Sequence, residues 1–363
     1  MTDAVDREFM AQALQLAECG MSTTTPNPRV GCLIVRDGAV AGAGWHARAG
    51  GPHAEVVALQ AAGERARGAT VYVSLEPCHH QGRTPPCDDA LISAGIVRVV
   101  AAMQDPDPRT AGRGLERLRQ AGIDVRSGVM EVEARELNAG FLSRVTRGTP
   151  WTRIKIAASL DGKTALNNGR SQWITGAAAR RDGHHWRARA CAVLTGIGTV
   201  LDDDPQLTVR DVDTPRQPLR VVVDSRLETP LDARVLAGGG VVIACAVEDE
   251  SRRRRLQDRG AEVIVIPNAA GKVELPALMR ELGRRGINEL HVEAGCKLNG
   301  SLIDAGCVDE LLLYLAPQLL GDRARGMADF PELTELSQRR ALAFSDVRAM
   351  GEDIRIIARL ERR

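Results

Sequence analysis

Aromatic residues are scarce. Four Trp, two Tyr and four Phe make up 3% of 363 residues, too few for a surface that reads single-stranded nucleic acid by stacking bases on rings. An excess of one charge is missing as well. Lys plus Arg number 48 against 47 Asp plus Glu, a formal net charge of +1, so no overall field draws the chain to a polyanion or an anionic membrane. Long apolar runs are lacking. The longest uninterrupted one, Val241 to Val247, falls far short of the ~20 residues that span a bilayer. The opening MTDAVDREFM carries acid and no apolar export core. These shortfalls lead us to expect a cytoplasmic chain with no nucleic-acid and no membrane partner. In a reducing compartment its eight Cys should be buried thiols or metal ligands rather than disulfides. Cys19, Cys32, Cys191, Cys245, Cys296 and Cys307 stand singly in apolar stretches and read as core thiols.

What is present describes a globular chain: 44% hydrophobic and 26% charged, long enough for two or three domains. Strand-like and helical runs alternate throughout, the signature of an α/β fold. A helix is expected over 3–19, then a hairpin from 30–35 and 40–45 turning at Asp37-Gly38. Helix 53–66, strand 70–75, helix 88–94, strand 97–102, helix 111–121, strand 123–126 and helix 131–141 follow. Arg147-Gly148-Thr149-Pro150 reads as a linker, separating domains at 1–147 and 151–363. Beyond it, strands are expected near 152–157, 191–195, 219–223, 241–246, 262–266, 289–292 and 311–316, with late extended runs at 343–348 and 354–360 that would close the sheet. The Arg252 to Arg255 run is most simply a solvated helix face.

Four of the seven histidines (His46, His53, His79, His80) fall between positions 46 and 80, beside Glu55, Cys78 and Cys87. Pro52-His53-Ala54-Glu55 and Glu76-Pro77-Cys78 compose the H-x-E…P-C pattern of zinc-dependent base deaminases. His53, Cys78 and Cys87 are the expected Zn²⁺ ligands, leaving a fourth position for water, whose pKa the ion lowers to about 7. Glu55 is the expected catalytic group, carrying a proton from that water to the departing ammonia. Residues two apart do not share a helix face, so His53 and Glu55 must act at a helix's N-terminal end. Pro85 and Pro86 suit a second helix entry at Cys87, and a helix N-terminus favours thiolate. The alternative is a closed structural zinc with His79 or His80 as fourth ligand, which leaves Glu55 without a task.

The second Cys does not follow as P-C-x-x-C. It comes after the insert His79 to Pro86. That insert, with Pro26-Asn27-Pro28-Arg29-Val30-Gly31, Gly50-Gly51-Pro52-His53-Ala54-Glu55 and Gln104 to Pro108, resembles the bifunctional riboflavin-biosynthesis deaminase/reductases of bacteria. The resemblance continues through 155–163, 171–175, 199–205, 207–210, 223–225 and 293–295, and so covers nearly the whole chain. It implies a cytidine-deaminase-like α/β/α domain followed by a dihydrofolate-reductase-like α/β domain. The first would deaminate 2,5-diamino-6-ribosylamino-4(3H)-pyrimidinone 5′-phosphate. The second would reduce the ribosyl group to ribityl with NADPH, in a homodimer or higher homo-oligomer.

No Rossmann fingerprint supports a dinucleotide site. Gly196-Ile197-Gly198 is followed by Leu201 where a third Gly or Ala should stand, and Gly42-Ala43-Gly44 lies in the hairpin. Cofactor phosphates would instead meet backbone N–H groups at a helix start. The loop Gly295-Cys296-Lys297-Leu298-Asn299-Gly300-Ser301, after the strand at 289–292, suits this, although an ordinary strand-to-helix turn reads the same. The resemblance implies that Thr199 and Asp203 border the nicotinamide and that Ala157, Trp173 and Ser225 line the cofactor. It assigns Ser171, Arg187, Leu207, Arg210 and Glu293 to the substrate. Arg187 and Arg210 suit its 5′-phosphate, since a guanidinium fork binds phosphate bidentately; each alone reads as an ion pair. Lys155 and Asp203 are candidates to polarise or protonate the opening sugar. Two departures adjoin these residues: Gly176 where the family more often has a Ser or Asn cap, and Cys296 where Pro is common. Two other functions compete with this one, a nucleic-acid-editing deaminase, disfavoured by charge and aromatics, and a zinc-stapled nucleotide sensor without turnover.

Overall fold

A computed structural model describes residues 3–79, 85–108 and 110–361. They form two compact units, residues 1–148 and 149–363.

The first unit runs α1 (Asp3–Glu18), β1 (Gly31–Arg36), β2 (Ala39–Trp45), α2 (Ala54–Ala62), β3 (Thr70–Val73), α3 (Cys87–Ser93), β4 (Arg98–Ala101), α4 (Arg113–Gln120), β5 (Asp124–Ser127), α5 (Glu131–Leu137) and α6 (Ala139–Arg147). Its sheet has the order β2-β1-β3-β4-β5. β1 is antiparallel to both neighbours, and β3, β4 and β5 are parallel. The period-2 pleat sends Val71 and Val73 to one face, with Ala58, Leu91 and Leu118 from α2, α3 and α4. Tyr72 goes to the other, with Phe9, Met10 and Ala13 of α1 and Ala134 of α5. The hairpin glycines have a packing cause. A Cβ at Gly42 would stand 2.3 Å from the Ala58 carbonyl oxygen, and one at Gly44 2.6 Å from the Ala58 nitrogen, so α2 lies directly on the backbone of β2. Asp6 is a buried carboxylate of α1. It accepts from Tyr72 Oη (2.8 Å), both Arg98 amino groups (2.8 and 2.7 Å) and Arg126 (2.9 Å), tying the helix to β3, β4 and β5.

The second unit runs β6 (Trp151–Ser159), β7 (Lys163–Ala165), α7 (Ala177–Arg189), β8 (Ala192–Gly196), α8 (Ile197–Asp203), β9 (Leu219–Val223), β10 (Val241–Cys245), α9 (Glu250–Asp258), β11 (Ala261–Val265), α10 (Leu275–Arg284), β12 (Glu289–Val292), α11 (Cys296–Asp304), β13 (Glu310–Ala316), β14 (Arg325–Gly326), β15 (Leu342–Met350) and β16 (Asp353–Leu360). The main sheet has the order β11-β10-β9-β8-β12-β6-β13-β16-β15. It is parallel from β11 to β13. The late runs join it as its last strands. β16 and β15 extend one edge as an antiparallel hairpin, because Gly351 supplies the positive φ of a tight turn. β7 and β14 pair as a separate short ribbon. After β8 the chain works outward to β11, then returns to insert β12 between β8 and β6. The carboxyl ends of β8 and β12 therefore flank a topological switch point, where open α/β sheets bind ligands.

One layer of this unit is charged rather than apolar. On one face of the sheet Ile154, Ile156, Leu290 and Val292 pack with α10 and α11. On the other, buried Arg153 bonds Glu310 and lies 3.5 Å from Glu289, with its guanidinium 4.2 Å from the Trp186 ring of α7. Arg189 reaches Glu289 at 2.7 Å, and Arg355 reaches Asp182 at 2.9 Å. The Gly176 departure finds a substitute cap here: Asp353 of β16 accepts the Gly176 N–H at 2.8 Å.

Candidate active sites

In the first unit the site forms where β3 ends and two helices begin. His53 is the N-cap of α2 with extended backbone, and Glu55 lies buried in that helix's first turn. The segment that follows β3 carries Cys78, and Cys87 opens α3 behind Pro86. His53 Nδ1 lies 3.2 Å from Cys87 Sγ and 3.5 Å from Cys78 Sγ, and the three donor atoms fall within 4.8 Å of one another. The start of α3 faces the first sulfur, with the Cys87 N–H directed at Cys78 Sγ at 3.4 Å.

The electrostatics divide these groups. Cys78 is drawn down to about 4 by the hydrogen bond from Cys87 and by His53. Cys87 is pushed up, by its bond to Cys78 and by burial. Burial, then the charge on Cys78, raises the Glu55 carboxyl to about 7. One imidazole and two sulfurs, with a buried carboxylic acid beside them, are a donor set that fits Zn²⁺ with an open position. His79 takes no part in this group. Its Nδ1 bonds Asp88 Oδ2 at 2.7 Å, and His80, the other candidate fourth ligand, lies outside the described residues.

Two supporting arrangements carry no spacing signal. His46 is buried with Nδ1 2.9 Å from the Pro52 carbonyl, so Nδ1 must donate and Nε2 accepts from Asn27 Nδ2 at 3.0 Å. The His46 ring stands edge-on to His53 with centroids 5.4 Å apart. Only the clustering of histidines hinted at this role. Glu76 accepts four backbone N–H groups, from Asp105 (3.0 Å), Gly112 (2.9 Å), Gly114 (3.0 Å) and Leu115 (3.2 Å). It thereby holds the loop after β4 against the Cys78 segment.

In the second unit the residues named by resemblance gather in part. Arg187 on α7 forks onto Glu293, just past β12: Nη2 donates to Oε2 at 2.8 Å and Nε to Oε1. Its Nη1 donates to the Thr208 carbonyl at 2.9 Å, which brings the loop carrying Leu207 to the same place. Burial works against ionisation of Glu293, yet Arg187 and His291 hold it well below the carboxylate range. Burial pushes the Lys155 amine down, with Glu293 opposing. His291 is fully buried with Nε2 3.4 Å from Glu293 Oε1. Ser171 Oγ stands 3.5 Å from Asp203 Oδ1, and burial, then the charge of Asp202, raises the Asp203 carboxyl.

Other residues stand apart from that cluster. The Arg187 fork faces Glu293, whereas Arg210 is exposed, with Nη1 3.0 Å from Gln206 Oε1. Trp173 is 69% exposed beneath the Arg180 guanidinium at 4.6 Å. Ser225 Oγ accepts from the Val273 N–H at 3.1 Å. Thr199 lies on α8 and Ala157 on β6. The loop at the end of β12 divides in two. Gly295 and Lys297 are exposed and Cys296 half-buried, at the start of α11, while Asn299 and Gly300 are buried. Asn299 Nδ2 donates to the Met327 carbonyl at 3.0 Å, and a Cβ at Gly300 would stand 2.0 Å from the Asp329 carbonyl oxygen. Leu298 packs on the end of β8, 3.0 Å from where a Gly196 Cβ would stand. Ser301 Oγ bonds back to the Lys297 carbonyl at 2.9 Å.

Comparison with known proteins covers both units. Residues 3–103 match the cytidine and deoxycytidylate deaminase zinc-binding region, and residues 150–356 match the RibD C-terminal domain. The riboflavin biosynthesis protein RibD of Escherichia coli K12 is 49% identical over 361 residues, 96% of this chain and 98% of the relative. That of Haemophilus influenzae is 46% identical, over 97% of this chain and 96% of the relative. Among solved structures, Acinetobacter baumannii RibD (form 1) superposes with a TM-score of 0.92 at 42% identity, covering 99% of this chain and 100% of that one. A diaminohydroxyphosphoribosylaminopyrimidine deaminase/5-amino-6-(5-phosphoribosylamino)uracil reductase from Thermotoga maritima gives 0.87 at 32% identity, covering 99% of both chains.

Proposed function

The chain belongs to the RibD family of bifunctional riboflavin-biosynthesis enzymes, a deaminase of the zinc-binding type joined to a reductase, and from that premise we propose how its residues divide the work. Residues 1–147 deaminate 2,5-diamino-6-ribosylamino-4(3H)-pyrimidinone 5′-phosphate, and residues 151–363 reduce the ribosyl group of the product to ribityl with NADPH. The observation that carries the reading is the convergence of His53 Nδ1, Cys78 Sγ and Cys87 Sγ beside buried Glu55.

Zn²⁺ held by those three ligands would supply a hydroxide-equivalent nucleophile at neutral pH. Glu55 moves the proton. A carboxyl raised to about 7 can accept a proton and release it near one pH, and a neighbouring dication would draw it back toward carboxylate. It takes the proton from the attacking water and delivers it to the leaving amino group, so that water and the aminopyrimidine become the pyrimidinedione and ammonia.

In the second unit NADPH would supply a hydride to the carbonyl-equivalent carbon of the sugar. The exposed start of α11, Gly295 to Lys297, supports phosphate binding there by backbone N–H groups and helix dipole. Leu298, Asn299, Gly300 and Ser301 shape that turn from behind. Ala157, Trp173 and Ser225 line the cofactor, and Thr199 and Asp203 border its nicotinamide. Ser171, Leu207 and Glu293 contact substrate. Arg210 meets the phosphate with its exposed guanidinium, and Arg187 meets substrate with donors that Glu293 and Thr208 leave over. We assign the polarising or protonating of the opening sugar to Lys155 and to Asp203, whose carboxyl is raised by burial.

The edge hairpin supports a homodimer. Leu342, Phe344, Val347 and Ala349 share a face with Ile354, Ile356 and Ala358, and Phe344 is 71% and Val347 57% exposed. The compartment we assign is the cytoplasm. Among the described residues no helix is long and apolar enough to cross a membrane.

The test follows ammonia and nicotinamide absorbance together, with the diaminopyrimidinone ribosyl phosphate and NADPH. Ammonia release followed by NADPH oxidation is expected. Ammonia without NADPH loss would withdraw the reductase assignment, and neither signal from zinc-loaded protein would return us to a nucleotide sensor.

A further inference from the structure

The residue after each zinc thiol pairs with the residue after the other. His79 follows Cys78 and Asp88 follows Cys87, and His79 Nδ1 meets Asp88 Oδ2 at 2.7 Å. This bond therefore spans the same two chain segments that the sulfurs span. The Asp88 carboxylate is fully buried. Its second oxygen accepts the Asp89 N–H at 2.7 Å, and Arg117 of α4 lies 3.7 Å from the first. Arg117 is itself held on Asp89, with Nη2 2.6 Å from Oδ1.

A helix start needs no such residue. Asp89, half exposed one position later, already places a carboxylate at the positive end of α3. Burying a second beside two sulfurs that carry charge when metallated is strongly disfavoured unless it is paired. The backbone already joins the segments at one point, since the Cys87 and Asp88 N–H groups both donate to the Cys78 carbonyl at 3.1 and 3.3 Å. The Cys87 N–H also faces Cys78 Sγ at 3.4 Å, and Glu76 anchors the chain before Cys78. The His79–Asp88 bond adds an attachment after Cys78, so that this sulfur is held from both sides.

We propose that His79 and Asp88 form a clamp, braced by Arg117, that sets the placement of the two zinc thiolates and so governs how tightly the metal is retained. They are positioning residues, acting on the metal through Cys78 and Cys87, and the proposal rests on the zinc assignment made above. Groups that hydrogen-bond metal ligands directly typically alter metal affinity 10–100-fold, and a clamp one residue removed from each ligand should act at the low end of that range.

The experiment measures zinc release from the full chain into excess colorimetric chelator, alongside the unfolding midpoint of the zinc-loaded protein. His79 is 38% exposed, so His79→Ala opens no core cavity. It should release zinc about 10-fold faster with an unfolding midpoint close to the parent's, a separation that a merely structural role would not produce. His79→Asn, whose Nδ2 stands where Nδ1 stood and still offers an N–H to Asp88, should recover most of the retention. Asp88→Asn should also speed release, and His79→Ala/Asp88→Asn should add little to either single change, as expected for one shared interaction. Release from His79→Ala within twofold of the parent would overturn the clamp. So would acceleration by Asp88→Asn alone, which would assign the effect to the start of α3. A parent that carries no zinc would overturn the zinc assignment and the clamp together, whereas with a zinc-loaded parent the release rate of His79→Ala decides the clamp alone.

Discussion

The two sites are assembled over different reaches of sequence. In the first unit His53, Glu55, Cys78 and Cys87 all lie between positions 53 and 87, placed by one helix cap, one strand end and one helix start. In the second, Lys155, Arg187, Thr208 and Glu293 come from a strand, a helix and two loops, and meet because β12 lies beside β6 with α7 across them. Local turns impose spacing, and spacing can be read. Sheet topology imposes none. The largest effect that tests this division is Glu55→Gln, which keeps the shape of the side chain but cannot carry a proton. Ammonia release should fall about 10²–10⁴-fold, while NADPH oxidation on the already deaminated substrate stays at the parental rate. A joint fall in both assays would mean that the two sites cannot be treated as separate machines.

The second site should be the more vulnerable to loss of a single charge. Glu293 is bidentate to Arg187 in a layer that also holds Lys155, Arg153 and His291. Glu293→Gln leaves the half-buried Arg187 without its counter-charge, a change that costs at most about 3–5 kcal/mol. Denaturant unfolding should show that loss in the reductase unit, with zinc-dependent deamination retained. An unfolding curve unchanged within about 0.5 kcal/mol would place this ion pair among ordinary surface pairs.

The same contrast decides what is legible without the fold. The residues proposed to hold zinc stand out because His-x-Glu and Pro-Cys are short motifs whose geometry is made locally. β9 and β12 fall on the expected residues because their apolar runs are short, β-branched and bounded by turns. Arg187 shows the limit. By itself it reads as an ion pair whose partner the sequence does not name, and only the fold discloses Glu293 across the helix–strand interface. Gly42 and Gly44 resemble part of a nucleotide motif, yet they let α2 rest on a strand backbone. The late hairpin is visible as two extended runs, but the edge they join is set by the pairing of β16 with β13, which no local pattern announces. The β7–β14 ribbon leaves no trace, since two or three residues carry no periodicity.

The first unit has a buried charge of its own, and it sharpens the comparison through pH. Asp6 of α1 is held below the ordinary carboxylate value by Arg98 first and then by Tyr72. A depressed pKa means that the unfolded chain binds the proton more readily. The stabilisation is therefore complete above the ordinary value of 3.8 and is lost as pH falls through the lowered value. Asp6→Asn should cost about 2–3 kcal/mol near neutrality and flatten the acid limb of the first unit's stability curve. An acid limb of parental steepness in the variant would shift the source of acid sensitivity to other carboxylates.

The smallest effects concern the start of α7, where the sequence departs from its family. Gly176 offers no side-chain cap, and Asp353 from the edge hairpin takes its N–H instead. If that distant carboxylate has replaced a local cap, Asp353→Ala should cost about 1 kcal/mol, and Gly176→Ser should recover only a few tenths of it. The space for the serine exists, because a Cβ at Gly176 meets Asp353 Oδ2 at an ordinary 3.4 Å. Its backbone at φ −70° suits any residue. In the parent background Gly176→Ser should change the reductase unit's unfolding free energy by less than about 0.5 kcal/mol. A gain above about 1 kcal/mol, the worth of a full helix cap, would mean that the helix start was under-capped after all, and that Asp353 serves the hairpin turn rather than α7.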